Sequence, residues 1–249
     1  MTFEREGGRS QGRRHSGEET HKPATPKPLG GRVAAVRIRD GHRRKPSSNR
    51  WLTRQLNDPY VLEARRLGYR SRAAFKLIEL DDRFRLFRPG QQVVDLGCAP
   101  GGWTQVAVER VGARRGTVVG IDLAETAPLP GAALLRGDIR DPSTREAIAQ
   151  ALGGFADIVL SDMAPPATGH GATDHLRVAA LVEEAFTFTS KILQPGGTFL
   201  AKVFQSGVEG ALLAELKRVF VEIRHAKPPA SRAESAEAYV LARGFRGGA

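Results

Sequence analysis

At 249 residues, 41% of them hydrophobic, the chain can form one sizeable core and carry a tail besides. Its +11 charge is lopsided, with +8 in the first 50 residues and +3 in the rest. One cysteine excludes an internal disulfide framework and any zinc site built on cysteines, and no apolar run approaches the roughly 18–20 residues of a membrane span. A protein of the reducing cytoplasm that does not enter a membrane is expected.

Residues 1–47 are rich in Arg, Gly, Pro and Ser and poor in large apolar side chains, so they cannot bury enough surface to offset ordering entropy. They read as a disordered basic extension with a short ordered patch at Val33–Ile38. Such a tail suits a polyanion such as RNA, or serves only solubility. The folded domain is expected over residues 48–246, opening near Asn49-Arg50-Trp51-Leu52. A helix follows Asp58-Pro59 from Tyr60 to Leu67, and Ser71 is placed to cap another over Arg72–Arg83. Arg65, Arg66, Arg70, Arg72 and Lys76 make this front end basic.

Strands then alternate with helices. Gln91–Leu96, Thr117–Ile121, Ala132–Leu135, Ala156–Leu160 and Thr198–Val203 read as strands. Helices are expected over Thr104–Val111, Ser143–Leu152, Asp174–Leu193 (closed by Pro195-Gly196-Gly197) and Gly207–Phe220. This order implies a parallel sheet with right-handed crossovers. Two last strands, Val221–Ala226 and Ala238–Ala242, have no helix between them and imply an antiparallel edge. The expected fold is therefore α/β and Rossmann-like: a mostly parallel seven-stranded sheet with an antiparallel edge strand and helices on both faces.

The chemistry gathers after the first strand, at Asp95-Leu96-Gly97-Cys98-Ala99-Pro100-Gly101-Gly102-Trp103. A dinucleotide site would show G-x-G-x-x-G. Here Gly97 is followed by three non-glycines, one of them Pro100, which suits a nucleoside without phosphates; S-adenosylmethionine is the leading candidate. Ligands of open α/β sheets sit beyond the carboxyl ends of the strands. Asp122 ends strand two, where an acid accepts ribose hydroxyls, and Asp138 follows strand three, where it can accept from an adenine amino group. Trp103 offers a flat apolar wall. Asp95 either orients the loop or touches ligand. Asp162 ends strand four and Lys202 ends strand five; a lysine in so apolar a strand must be paired. The pair serves either catalysis or only a salt bridge. Cys98 is expected to pack rather than react, and no histidine spacing suggests a metal site.

Five segments together resemble the FtsJ/RrmJ family of RlmE-type ribosomal RNA 2′-O-methyltransferases: Arg70–Leu77, Asp95–Trp103, Ser161–Pro165, Lys202–Gln205 and Ser231–Tyr239. The resemblance covers about Ser48 to Arg246. It implies a class I S-adenosylmethionine-dependent methyltransferase with a tetrad on Lys76, Asp162, Lys202 and Glu237. Within it Lys202 reads either as the proton acceptor or as the group that orients the hydroxyl while its proton leaves. It implies cofactor contacts at Gly101, Trp103, Asp122, Asp138 and Asp162. The acceptor would be a uridine ribose in the A loop of large-subunit ribosomal RNA, and the enzyme a monomer that works on that RNA or on the large ribosomal subunit. Where the family usually has Asn after Met-Ala-Pro, this chain has Pro166, so the loop Ala167–His175 is expected to hold substrate differently. The other readings are an inactive RNA-binding assembly factor on the same fold, or a 2′-O-methyltransferase of transfer RNA or a messenger cap.

Overall fold

A computed structural model describes residues 52–53, 55–112, 114–166, 168–204 and 210–247. The expected basic extension, its patch at Val33–Ile38 and the start of the domain at 48–51 lie outside the described residues.

Helix α1 (Pro59–Leu67) begins where Asp58 accepts a hydrogen bond from the Tyr60 N–H and Pro59 sets the first turn. Helix α2 (Ala73–Phe84) starts without the expected cap: Ser71 Oγ is buried and makes no hydrogen bond. Its first amides are satisfied instead by main-chain oxygens, Ala74 N–H on Ser71 and Phe75 N–H on Arg72. The Ser71 hydroxyl is packed against Gly102, where an added Cβ would come within 2.3 Å of it. That close approach takes the hydroxyl away from the helix end. Phe75 wedges between Tyr60 and Tyr69, with ring centroids 5.4 and 5.8 Å apart.

The alternation then runs β1 (Gln92–Leu96), α3 (Gly102–Val111), β2 (Thr117–Asp122), β3 (Ala132–Arg136), α4 (Pro142–Leu152), β4 (Ala156–Ser161), α5 (Gly171–Ile192), β5 (Leu193–Phe204), α6 (Gly210–Val219), β6 (Phe220–Ala226) and β7 (Glu237–Phe245). The seven strands lie in the order β3-β2-β1-β4-β5-β7-β6. The five from β3 to β5 pair in parallel, while β7 runs antiparallel to both β5 and β6. The expected antiparallel pairing is present, with β7 inserted one place in and β6 forming the edge. Pro195-Gly196-Gly197 does not separate helix from strand as the sequence suggests. Leu193 already pairs with Ala156, and the register slips before Ile158 meets Thr198, so the turn is an irregularity inside β5.

Alternate residues along the strands serve two cores. Val93, Val118, Ile158, Leu160, Leu200 and Leu241 pack under α1, α2 and α3. Val94, Leu96, Val119, Val159, Phe199 and Val240 pack under α4, α5 and α6. Both faces are covered, which is why the central strands read as continuous apolar runs. Among the described residues no helix is long and apolar enough to cross a membrane.

Candidate active site

Four elements far apart in sequence bring two amines and two carboxylates to the carboxyl edge of the sheet. Lys76 comes from α2, Asp162 from just past β4, Lys202 from β5 and Glu237 from the start of β7. Lys76 Nζ lies 2.8 Å from Glu237, and Lys202 Nζ lies 2.8 Å from Asp162 Oδ1. The cross distances are longer, 4.0 Å from Lys76 to Asp162 and 3.9 Å from Lys202 to Glu237. The result is a ring of alternating charge whose formal sum is zero. All four side chains are largely buried, so each charge depends on its neighbours rather than on water. Lys202 also donates to the Asp162 main-chain oxygen at 2.8 Å. Burial by itself would raise the Glu237 carboxyl, but Lys76, Lys202 and the Ser231 hydroxyl outweigh it and hold the group below the usual carboxylate range.

Two side chains to which the sequence reading gave no role brace this ring. The Tyr239 hydroxyl donates to Asp162 Oδ1 at 2.9 Å, and Ser231 Oγ lies 2.7 Å from Glu237 Oε1. Tyr239 stands opposite Lys202 in the β5–β7 register and two residues after Glu237, so all three share one face of the sheet. That period-two signal was available in Glu237-Ala238-Tyr239. Burial, then the charges of Asp162 and Glu237, push the phenol well above its ordinary range, so it remains a donor.

Trp103 is not the exposed wall expected for a ligand. The residue is 3% exposed, its indole N–H donates to the Ala73 carbonyl at 2.8 Å, and its ring centroid is 5.6 Å from that of Tyr239. A large ring opening a helix beneath α2 gains more from burial than from facing water. It supports the tetrad from behind. Asp95 is also fully buried, accepting from Thr104 Oγ1 at 2.7 Å; burial is the first cause of its carboxyl being raised to about 7. It ties the end of β1 to the first turn of α3 and does not line the cavity described next. The Cys98 thiol is buried and pushed up to about 12, first by burial and then by Asp95, which makes it a packing residue.

Beside the ring lies a cavity of about 680 Å³, and Asp162 stands in its wall. Ile121, Leu123, Ile139 and Met163 give it apolar sides, and Asp122 and Asp138 give it acceptors. Asp122 receives the Ala99 and Ala124 N–H groups at 2.9 and 2.8 Å, which ties the glycine loop to the end of β2. Asp138 receives the Arg140 guanidinium on both oxygens at 3.0 Å. Gly101 does not line this cavity. It holds φ 107°, and a Cβ there would come within 2.8 Å of the Arg70 guanidinium. Arg70 donates to the main-chain oxygens of Pro100, Ala127 and Pro128 at 3.2, 2.7 and 2.6 Å, clamping the β1–α3 loop to the β2–β3 loop.

A second cavity of about 350 Å³ opens on the other side of the ring, lined by Arg72, Lys76, Arg232, Glu234, Ser235 and Glu237. Behind it, buried Asp58 holds Arg72 at 3.2 Å and Arg232 at 3.3 Å. The loop between β6 and β7 is fixed over α2 by the Ala230 N–H donating to Glu79 at 2.6 Å. Lys76 and Glu237 line this cavity and Asp162 lines the other, so the ring is the partition between them.

Residues 69–245 match the model of the FtsJ-like methyltransferases. The chain belongs to the FtsJ-like methyltransferase family. It is 60% identical over 225 residues to the ribosomal RNA large subunit methyltransferase E of Paramagnetospirillum magneticum, covering 88% of this chain and 92% of that protein. It is 58% identical over 216 residues to the same-named protein of Rhodopseudomonas palustris, covering 86% and 91%. A solved candidate ribosomal RNA methyltransferase from Plasmodium falciparum superposes with a TM-score of 0.66 at 30% identity, covering 72% of this chain and all of that one. In this FtsJ-like chain the matched span holds both cavities and the whole tetrad.

Proposed function

We propose that this protein moves the methyl group of S-adenosylmethionine to a ribose 2′-hydroxyl of large-subunit ribosomal RNA, with a uridine of the A loop as acceptor. The observation that carries the reading is the partition itself: a neutral ring of two amines and two acids between one cavity of nucleoside size and a second, arginine-lined one. The relatives' names supply the RNA class.

The donor set suits the cofactor. Asp122 and Asp138 are carboxylate acceptors for ribose hydroxyls and an adenine amine, and Ile121, Leu123 and Ile139 give the base an apolar slot. When bound, the cofactor supplies an electrophilic sulfonium methyl. The protein's work is to bring the hydroxyl in line and accept its proton. Lys202 Nζ is held by Asp162 through a carboxylate oxygen and a main-chain oxygen, so its position is fixed before substrate arrives. The hydroxyl proton would pass to Lys202 Nζ in its neutral-amine form, and the transfer would restore the ammonium that Asp162 and Glu237 balance in the ring. Lys76 keeps Glu237 ionised, and Tyr239 keeps Asp162 turned toward Lys202. Residues 1–47 form the basic extension of a methyltransferase domain over 48–246, which acts as a monomer in the cytoplasm; the extension adds RNA affinity without touching the chemistry.

Mapping 2′-O-methylation in ribosomal RNA from cells with and without the protein tests this. One large-subunit ribose should lose its methyl group and regain it on complementation. Unchanged ribosomal RNA, with a methyl group lost from transfer RNA or a messenger cap, would replace the acceptor. Unchanged RNA of every class would favour an assembly factor without catalysis.

A further inference from the structure

We propose that the opposite end of the sheet, at the amino ends of β1 and β2, is a second RNA contact that grips backbone phosphates away from the acceptor nucleotide. It rests on the proposed function only for the identity of the polyanion.

Two loops meet there. Residues 85–91 join α2 to β1, and residues 112–116 join α3 to β2. They are tied together by Gly90 N–H on Val111 O at 2.8 Å and Thr117 N–H on Gln91 O at 3.2 Å. On them and on the last turn of α2 stand Arg83, Arg85, Arg88, Arg114 and Arg115, all exposed. Among the described residues none of these five guanidiniums has an ion-pair partner. The acids nearby, Asp81 and Asp82, are engaged by Arg110 at 2.8 and 3.8 Å, and Asp81 also caps the Leu86 and Phe87 amides. Like charges crowded without counter-charges work against folding, so stability does not explain them.

The backbone gives a second sign. Arg85 ends α2 in the left-handed region at φ 52°, where glycine or asparagine is the relaxed choice. It is the one non-glycine residue with positive φ among the described residues; its N–H closes the helix on Asp81 O at 2.6 Å, a task that does not call for an arginine side chain. All five cations are arginines, whose planar forks suit phosphate oxygens. Phe155, exposed just before neighbouring β4, is a lone ring at this sheet edge and offers a lipid surface little to hold. β1 spans five residues, so this patch lies about 17 Å from the crevice along the strand. One RNA can therefore lie against both ends of the sheet if it spans more than about 17 Å.

The test uses the full chain and a variant with Arg85→Ala, Arg88→Ala, Arg114→Ala and Arg115→Ala. Binding to a duplex RNA of unrelated sequence is measured over a range of potassium chloride. The slope of log affinity on log salt should shrink by about 3, since each phosphate contact contributes about 0.7–0.9. A variant with lysine at the same four positions should keep the slope. Methylation of a short acceptor hairpin should proceed at the original rate in both. An unchanged slope in the alanine variant would overturn the proposal. So would an equal loss in the lysine variant, which would assign the effect to loop structure, or a loss of binding to anionic lipid vesicles in place of RNA. A wild-type chain that leaves both the hairpin and large ribosomal subunits unmethylated would count against the proposed function and leave the salt result standing.

Discussion

The charged ring and the cavity beside it hold acids in different ways. In the ring every charge is buried and answered at 2.8 Å, and the two acids also receive Tyr239 or Ser231. In the cavity Asp138 sits at the surface and its partner Arg140 is exposed, so solvent screens the pair. The difference separates two tasks. The ring must be assembled before substrate arrives, because its geometry is its contribution. The cavity must let a small molecule in and out, so Asp138 is held by a screened pair that contributes little to the fold, while Asp122 keeps the glycine loop in place.

That contrast breaks most visibly at Lys202. Lys202→Ala should lower methyl transfer by at least about a hundredfold, the usual scale for a positioned proton acceptor, while cofactor affinity measured by calorimetry stays within a few fold. Full turnover by that variant would remove the lysine from the mechanism. Tyr239→Phe deletes one hydrogen bond to a buried carboxylate, an interaction of about 1.5–3 kcal/mol. The turnover rate should fall about tenfold or more with a lower melting temperature, and an unchanged KM for cofactor would separate bracing from binding. Asp138→Asn should do the reverse, weakening cofactor binding about tenfold while the melting temperature holds, because the Arg140 pair is exposed.

The smallest effect sharpens the contrast by pH. Burial raises the Asp95 carboxyl from 3.8 to about 7. The folded protein therefore binds that proton more tightly than the unfolded chain. The associated stability is complete below about pH 4 and drains away as pH rises through 7. Calorimetric melting at pH 5, 6, 7 and 8 should show a decline, and Asp95→Asn should flatten it. Parallel declines in both proteins would place the titration elsewhere.

Local pattern carried most of the fold. Alternation along Val93-Val94 and Val118-Val119 gave strands covered on two faces, and Asp122, Asp138 and Asp162 were legible because turns after strands are where a ligand would be met. What escaped were features set by contacts across the chain. Nothing near Ser71 announces that Gly102 will draw its hydroxyl from the helix end. Nothing near Trp103 says that Tyr239, far along the sequence, will take its ring. Pairing Lys76 with Glu237 joins residues 161 positions apart, and it came from resemblance rather than from periodicity. The clamp of Arg70 on three carbonyls and the hold of Asp58 on two arginines had no sequence signal, since main-chain acceptors and shared carboxylates leave none.

The insertion of β7 between β5 and β6 sets a schedule for the enzyme's own birth. Glu237 and Tyr239 arrive on the strand that leaves the ribosome last of the seven, yet they must slot beside one already made. Until that hairpin closes, Lys76 and Lys202 face each other with only one acid between them. A nascent chain thus stays unarmed until β7 has been made and has paired.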